Sequence, residues 1–246
     1  MSLYHYALLD WVDEKIINWC HLSENPNAIY LLEQNPSKIN WGFLSRNSNA
    51  MHLLEKNPEK IIWCELSRNP SAIRLLEKNP SKINWVWLST NPNAIHLLEK
   101  NPERINWGWL STNPNALQLL EKNPSKISWL MLSTNPNAIH LLEKNPDKIN
   151  RTILSTNPNA IHLLDHSKMC WWLLSGNSNA IHILEKNKDK IDWYEISSNP
   201  SIFTKKINYK FLSERMNIIK EDLMMKSMHP SRLKRFIEMG GDIDDF

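Results

Sequence analysis

The sequence predicts an all-α fold, an α-solenoid of about nine 22-residue repeats, and three observations carry that prediction. The string NPNAI or a close variant begins at Asn25, Asn47, Asn69, Asn91, Asn113, Asn135, Asn157, Asn177 and Asn199, at intervals of 22 residues apart from one of 20. Thirteen of the 14 prolines directly follow asparagine, although the chain has only 5 glycines. Eight of the 12 tryptophans fall at one position of the repeat.

In chain order, residues 1–24 keep Ile17, Asn18 and Trp19 in phase with the repeat but lack Asn-Pro, and read as an N-terminal capping repeat. Residues 25–204 form the tandem array. Within each unit the first Asn-Pro opens a helix: asparagine suits the N-cap, proline suits the next position, and the residue before proline is pushed out of the α region. Ala94, Ile95 and Leu98 then supply an apolar stripe, with His96, Glu99 and Lys100 toward solvent. A second Asn-Pro ten residues later, as at Asn101, opens a second helix in the same way. Its apolar residues form no single stripe, so Asn106 is a candidate cap for a separate last turn, partly 3₁₀. The unit is thus two short helices with or without that turn. Helices this short are unstable alone, since isolated ones need roughly 12–15 residues. Neighbouring units must therefore supply the core, and the Trp column (Trp19 to Trp193) is the expected inter-repeat core of a right-handed, elongated solenoid. Residues 205–246 read as a helical C-terminal cap, with one helix from about Asn217 to Met228 and another from Pro230 to Met239, ended by Gly240-Gly241.

One irregularity interrupts the array. Arg151 stands where a Trp is expected, and Asp165-His166-Ser167-Lys168-Met169-Cys170 lacks Asn-Pro, which removes two residues. Losing a cap and a core Trp in adjacent units should kink or soften the array there, read either as tolerated repeat drift or as a bend that shapes a concave partner site near residues 145–175.

The NPNAIHLLEKNP and KINWxxLSTNPNAI strings, with the closing MHPSRLKRFIEMGGDIDDF, resemble a repeat class abundant in giant DNA viruses of the mimivirus and marseillevirus kind. The resemblance covers nearly the whole chain. It implies an interaction role and a setting in the cytoplasm or virus factory of an infected cell, and it transfers no catalytic or binding residue.

Several functions are disfavoured by composition and motif. The formal charge is +3, with 29 basic and 26 acidic residues, which gives no global pull toward nucleic acid or anionic membrane. Cys20, Cys64 and Cys170 have neither metal nor redox spacing, so no cofactor or metal is expected. No secretory signal or membrane-length apolar run is read. Catalytic motifs are absent, and the His and Glu pairs recur along the array, whereas an active site is normally one asymmetric constellation. The expectation is no enzyme.

Repeat columns that vary, or that carry chemistry, are the candidate contacts. His52, His96, His140, His162 and His182 form a column, with Tyr30, Arg74 and Gln118 at equivalent places. Two basic columns, Lys56 to Lys186 and Lys38 to Lys190, run beside an acidic column from Glu33 to Glu185, which reads as a salt-bridged, solvated face. The pair before Leu-Ser varies most, and Trp87, Trp109 and Met131 from it, with Arg151, join the histidines as candidate partner-binding residues. Its apolar character suits packing or a protein partner better than base recognition. The expected function is a non-catalytic protein-binding scaffold, with nucleic-acid binding through the Lys columns and self-assembly as alternatives. The partner and the oligomeric state are left open.

Overall fold

The computed structural model describes residues 4–164, 169–227 and 229–240. The chain divides into two compact units, residues 6–204 and residues 1–5 with 205–246. The larger is built of short helical segments in a regular repeat, as predicted, with three helical pieces per unit. Over residues 47–68 these are Met51–Lys56, the 3₁₀ turn Pro58–Lys60 and Trp63–Leu66.

Each piece has its own chemical stop and start. Asn40, Asn84 and Asn106 accept the N–H three residues on at 3.1 Å, which opens the Trp helix as expected of Asn106. The second Asn-Pro works differently from the expectation. Asn35, Asn57, Asn79 and Asn101 make no side-chain N-cap; each instead donates to the carbonyl four residues back at 2.9–3.0 Å. Those asparagines therefore close the preceding helix, and proline starts the 3₁₀ turn.

The core is a set of stacked columns. Leu22, Leu44, Leu66, Leu88, Leu110 and Leu132 are fully buried, as are Leu32, Leu54, Leu76, Leu98, Leu120 and Leu142. Full burial of one leucine contributes about 1.5–3 kcal/mol. The Trp column is half-buried and packs against this core, so it forms the outer part of the expected inter-repeat packing. One face of seven of its eight rings is covered by a cation of the next unit: Lys38 over Trp19, Lys82 over Trp63, Arg104 over Trp85 and Lys190 over Trp171 are examples, at 4.1–4.9 Å.

The buried polar columns show how the units are joined. Asn47 is fully buried and donates to the carbonyls of Ser23 (3.0 Å) and Asn25 (2.8 Å) in the preceding unit, while its Oδ1 accepts from the Asn49 N–H. The hydroxyl of Ser23 donates to Trp19 O and accepts from Asn40 N–H across the interface. Both patterns recur from unit to unit. They also occur between the last unit and the first. Asn25 donates to Ser197 O (3.1 Å) and Asn199 O (2.9 Å), and Asn18 N–H donates to Ser197 Oγ (2.9 Å). The nine units therefore close on themselves, which corrects the expected elongated, open solenoid. Ser89, which donates to Trp85 O and accepts from Asn106 N–H, gives a direct check. Ser89→Ala leaves a buried N–H without its acceptor, and should lower unfolding stability by about 1–3 kcal/mol in a urea titration.

Two short strands correct the all-α expectation at this seam. β1 (Tyr4–Leu8) and β2 (Phe203–Ile207) form a two-stranded sheet, and Leu9 N–H donates to Ile202 O. β2 stands where earlier units place the Ile-His-Leu-Leu helix. Trp11 packs edge-on against Trp193 (6.5 Å between centroids), so the first unit is a full ring member and no cap.

The ladder also crosses the irregular interval without a break, against the expected kink. Asn177 donates to Ser155 O (2.8 Å) and Asn157 O (3.1 Å). The shorter spacer is absorbed locally: Ile161–Leu163 is a 3₁₀ turn where other units have an α-helix, and Cys170 N–H reaches Ser155 Oγ at a longer 3.4 Å. The stretch 165–168 lies outside the described residues.

In the smaller unit a helix runs Tyr209–Ser227, starting earlier than its predicted Asn217 because Asn208 accepts from Phe211 N–H. A second runs Pro230–Glu238, with Gly240 at φ 85°, a left-handed C-terminal stop that favours glycine.

Candidate functional site

The position just before each buried Asn breaks the repeat symmetry. Glu24, Arg46, Arg68, Thr90, Thr112 and Ser198 occupy it in six units, and they line one cavity of about 430 Å³. Residues from the first and last units share that cavity because the ring is closed. It is an open cavity formed where the last and first units meet.

Backbone geometry sets this arrangement. The residue follows the ladder Ser and precedes the ladder Asn, both immobilised by hydrogen bonds to neighbouring units, so its side chain has one direction open to it. Thr90 and Thr112 donate to Trp87 O and Trp109 O at 2.8 Å, and Ser198 donates to Glu195 O at 2.9 Å.

The second member of the variable pair is wired to this position. Arg46 bonds Glu65 and Glu24, and Arg68 lies 4.5 Å over the Trp87 ring. Trp87 and Trp109 pack at 4.9 Å. His21 packs on Tyr194 (3.8 Å) and Phe43 (4.9 Å), with its Nδ1 3.8 Å from Glu24. A charged arc therefore occupies units nine, one, two and three. Aromatic and hydroxyl groups follow in the next two.

Burial would lower the Arg46 pKa, but the Glu65 and Glu24 carboxylates outweigh it and hold the value above the ordinary one. Arg68 moves the other way: burial and the Arg46 charge lower it, against Glu65 and Glu24. Burial also holds the Glu195 carboxyl above the usual carboxylate range; His21 pulls it down, whereas Asp192 and Glu24 push it up. A raised folded-state carboxyl binds its proton more tightly than the unfolded chain does. It therefore lowers stability as pH rises from the ordinary glutamate value, about 4.3, through the folded value. Glu195→Gln should be more stable than the parent at neutral pH, and the gap should close in urea titrations on acidification.

The sequence-predicted residues fall in two places. Trp87 and Trp109 join the central arrangement, and Met131 holds the equivalent half-buried position. His52, His96, His140 and His162 are exposed and each faces a glutamate of the preceding unit at 3.0–3.5 Å, His52 meeting Glu33 and His96 meeting Glu77. His182 is exposed and lines a groove with His162. Arg151 is exposed at the start of its helix, away from the other candidates by its place in the repeat. The expected Lys–Glu face is corrected too: the glutamates face histidine, and the Lys38-to-Lys190 column covers tryptophan.

Glu24, Arg46 and Arg68 were missed by sequence reasoning. The signal was present, because the column before the ladder Asn runs Glu, Arg, Arg, Thr, Thr, Thr, Thr, Gly, Ser between neighbours that hardly change.

The arrangement defines a class, a closed ring of short helical repeats with a polar, asymmetric centre. Comparison with protein-family models, characterised proteins and solved structures finds no match to this chain. Among the described residues no helix is long and apolar enough to cross a membrane.

Proposed function

We propose that the chain is a non-catalytic scaffold that binds a protein partner on the ring face where the Trp helices begin. One observation carries this. The first member of the variable pair is large, apolar and exposed at Val86 (41%), Leu130 (43%), Trp172 (52%) and Tyr194 (50%). These side chains hold the same repeat position, so they share one face. The backbone beneath them is fixed by the Asn and Ser ladders, which lowers the ordering cost of binding. Exposed Trp and Tyr on such a base are the usual anchors of protein interfaces.

Nucleic-acid binding is less well supported, because seven cations of one Lys/Arg column lie over Trp rings and do not form an open phosphate track. Self-assembly through open array ends loses its basis once the ninth unit bonds to the first. The infected-cell setting rests on the repeat strings alone.

The test compares the parent with the double variant Leu130→Lys/Trp172→Lys and with His96→Gln. Partners captured from infected-cell lysate should be lost from the double variant, at unchanged helicity, and kept by His96→Gln. Retention by the double variant would defeat the assignment of the face. Tight, steeply salt-dependent binding of random DNA or RNA oligomers would defeat the reading itself.

A further inference from the structure

The cavity holds a cation that has no direct ion pair. Arg46 is satisfied by two carboxylates. Arg68 is different: among the described residues no carboxylate lies within ion-pair distance, and its guanidinium rests on the Trp87 face. Glu65 and Glu24 act on it only from longer range, and a partly buried cation with no direct ion pair keeps a desolvation cost that a cation–π contact offsets only in part. Arg68 nevertheless lines the open cavity.

The rest of the lining narrows the chemistry. The Thr90, Thr112 and Ser198 hydroxyls already give their protons to backbone carbonyls. Toward the cavity their oxygens can therefore only accept, so a ligand must bring donors. Glu24 on the same wall likewise accepts. A second polar group is also unfinished nearby: the His21 side chain is buried, and its Nδ1 has no hydrogen-bond partner.

We propose that the centre of the ring is a binding site for a small hydroxylated anion, its carboxylate or phosphate held by Arg68 and its hydroxyls donating to Thr90 and Thr112. The guanidinium, with Trp87 behind it, presents its free edge to the anion. The threonines discriminate in favour of a hydroxylated body over a bare anion. Arg68, Thr90 and Thr112 are not among the residues of the apolar face assigned above, and the variants that test the two differ, so either assignment can fail without the other.

Isothermal titration calorimetry on the full chain would use four probes: inorganic phosphate, glycerol 3-phosphate, glucuronate and neutral glycerol. Saturable binding of glycerol 3-phosphate or glucuronate, tighter than phosphate and absent for glycerol, is the expected result. Arg68→Met, with folding checked by circular dichroism, should weaken it at least tenfold. Thr90→Val/Thr112→Val is the second arm and is well tolerated structurally, because Trp87 O and Trp109 O still accept the Thr90 and Thr112 N–H groups. It should weaken the hydroxylated probes severalfold and leave phosphate unchanged. If Arg68→Met does not fold, this double variant decides alone. Binding of none of the anions, or binding indifferent to the folded variants, would overturn the proposal.

Discussion

Asn113→Asp should abolish folding at neutral pH. The Asn113 side chain is fully buried and donates to Ser89 O (3.0 Å) and Asn91 O (2.8 Å), while its Oδ1 accepts from Asn115 N–H. A carboxylate there would face two carbonyl oxygens with no proton to offer, in a fully buried site. Burial of that kind raises the carboxyl pKa of the folded state. By the linkage sign, the variant regains stability as pH falls through that raised value. Asn113→Ala removes the same bonds without the charge. It leaves Ser89 O and Asn115 N–H unpaired, at about 1–3 kcal/mol each, so about 2–6 kcal/mol in all, a large share of the roughly 5–15 kcal/mol of a folded domain. The informative companion is Asn25→Ala. In an open array the first unit has no predecessor, so Asn25 would be cheap to lose. In the ring it bonds Ser197 and Asn199, and its loss should cost as much as that of Asn113. Urea midpoints for the two alanine variants measure this; a small effect at Asn25 would sink the closed ring.

The repeat itself was legible because its signals are local. Asn-Pro fixes a backbone start, Ile and Leu spacing fixes a buried face, and nine copies remove chance. Asn106 as a cap was readable for the same reason. Closure was not legible, because it depends on the turn between units, a sum of small side-chain volumes at each interface that no residue states alone. The strands at the seam follow from closure, since β1 matters only once the ninth unit lies beside it. The two Asn-Pro signals looked alike in sequence but differ in the structure. Asn91 has a neighbouring unit's carbonyls to bond, whereas Asn101 has only the helix before it. The Trp and Lys columns were both visible. Their contact was hidden because the partners sit 19 residues apart, across an interface. The candidate site was the least legible. Trp87 and Trp109 stood out as variable aromatics, but the charges of Arg46 and Arg68 acquire meaning only when six equivalent positions line one cavity.

Removing one whole unit, residues 91–112, should damage this protein far more than an open array. The deletion joins Thr90 to Asn113 and keeps every local signal in phase. An open solenoid would lose one interface and stay monomeric, since its stability is a sum over neighbours. Nine closed units turn the chain by about 40° each, and eight would have to turn by about 45°. That change would be spread over interfaces packed at fixed side-chain volumes and tied by hydrogen bonds near 2.8–3.1 Å. The seam is the place to yield, because only there are the joined segments distant in sequence. We expect the amides of Asn18 and Leu9 to exchange rapidly with solvent. The freed edges of the first and last units should then pair between chains, so that mass in light scattering rises with concentration. A monomeric, cooperatively unfolding deletion variant that still protects those amides would show that the interfaces are compliant, and that nine is not a number the packing enforces.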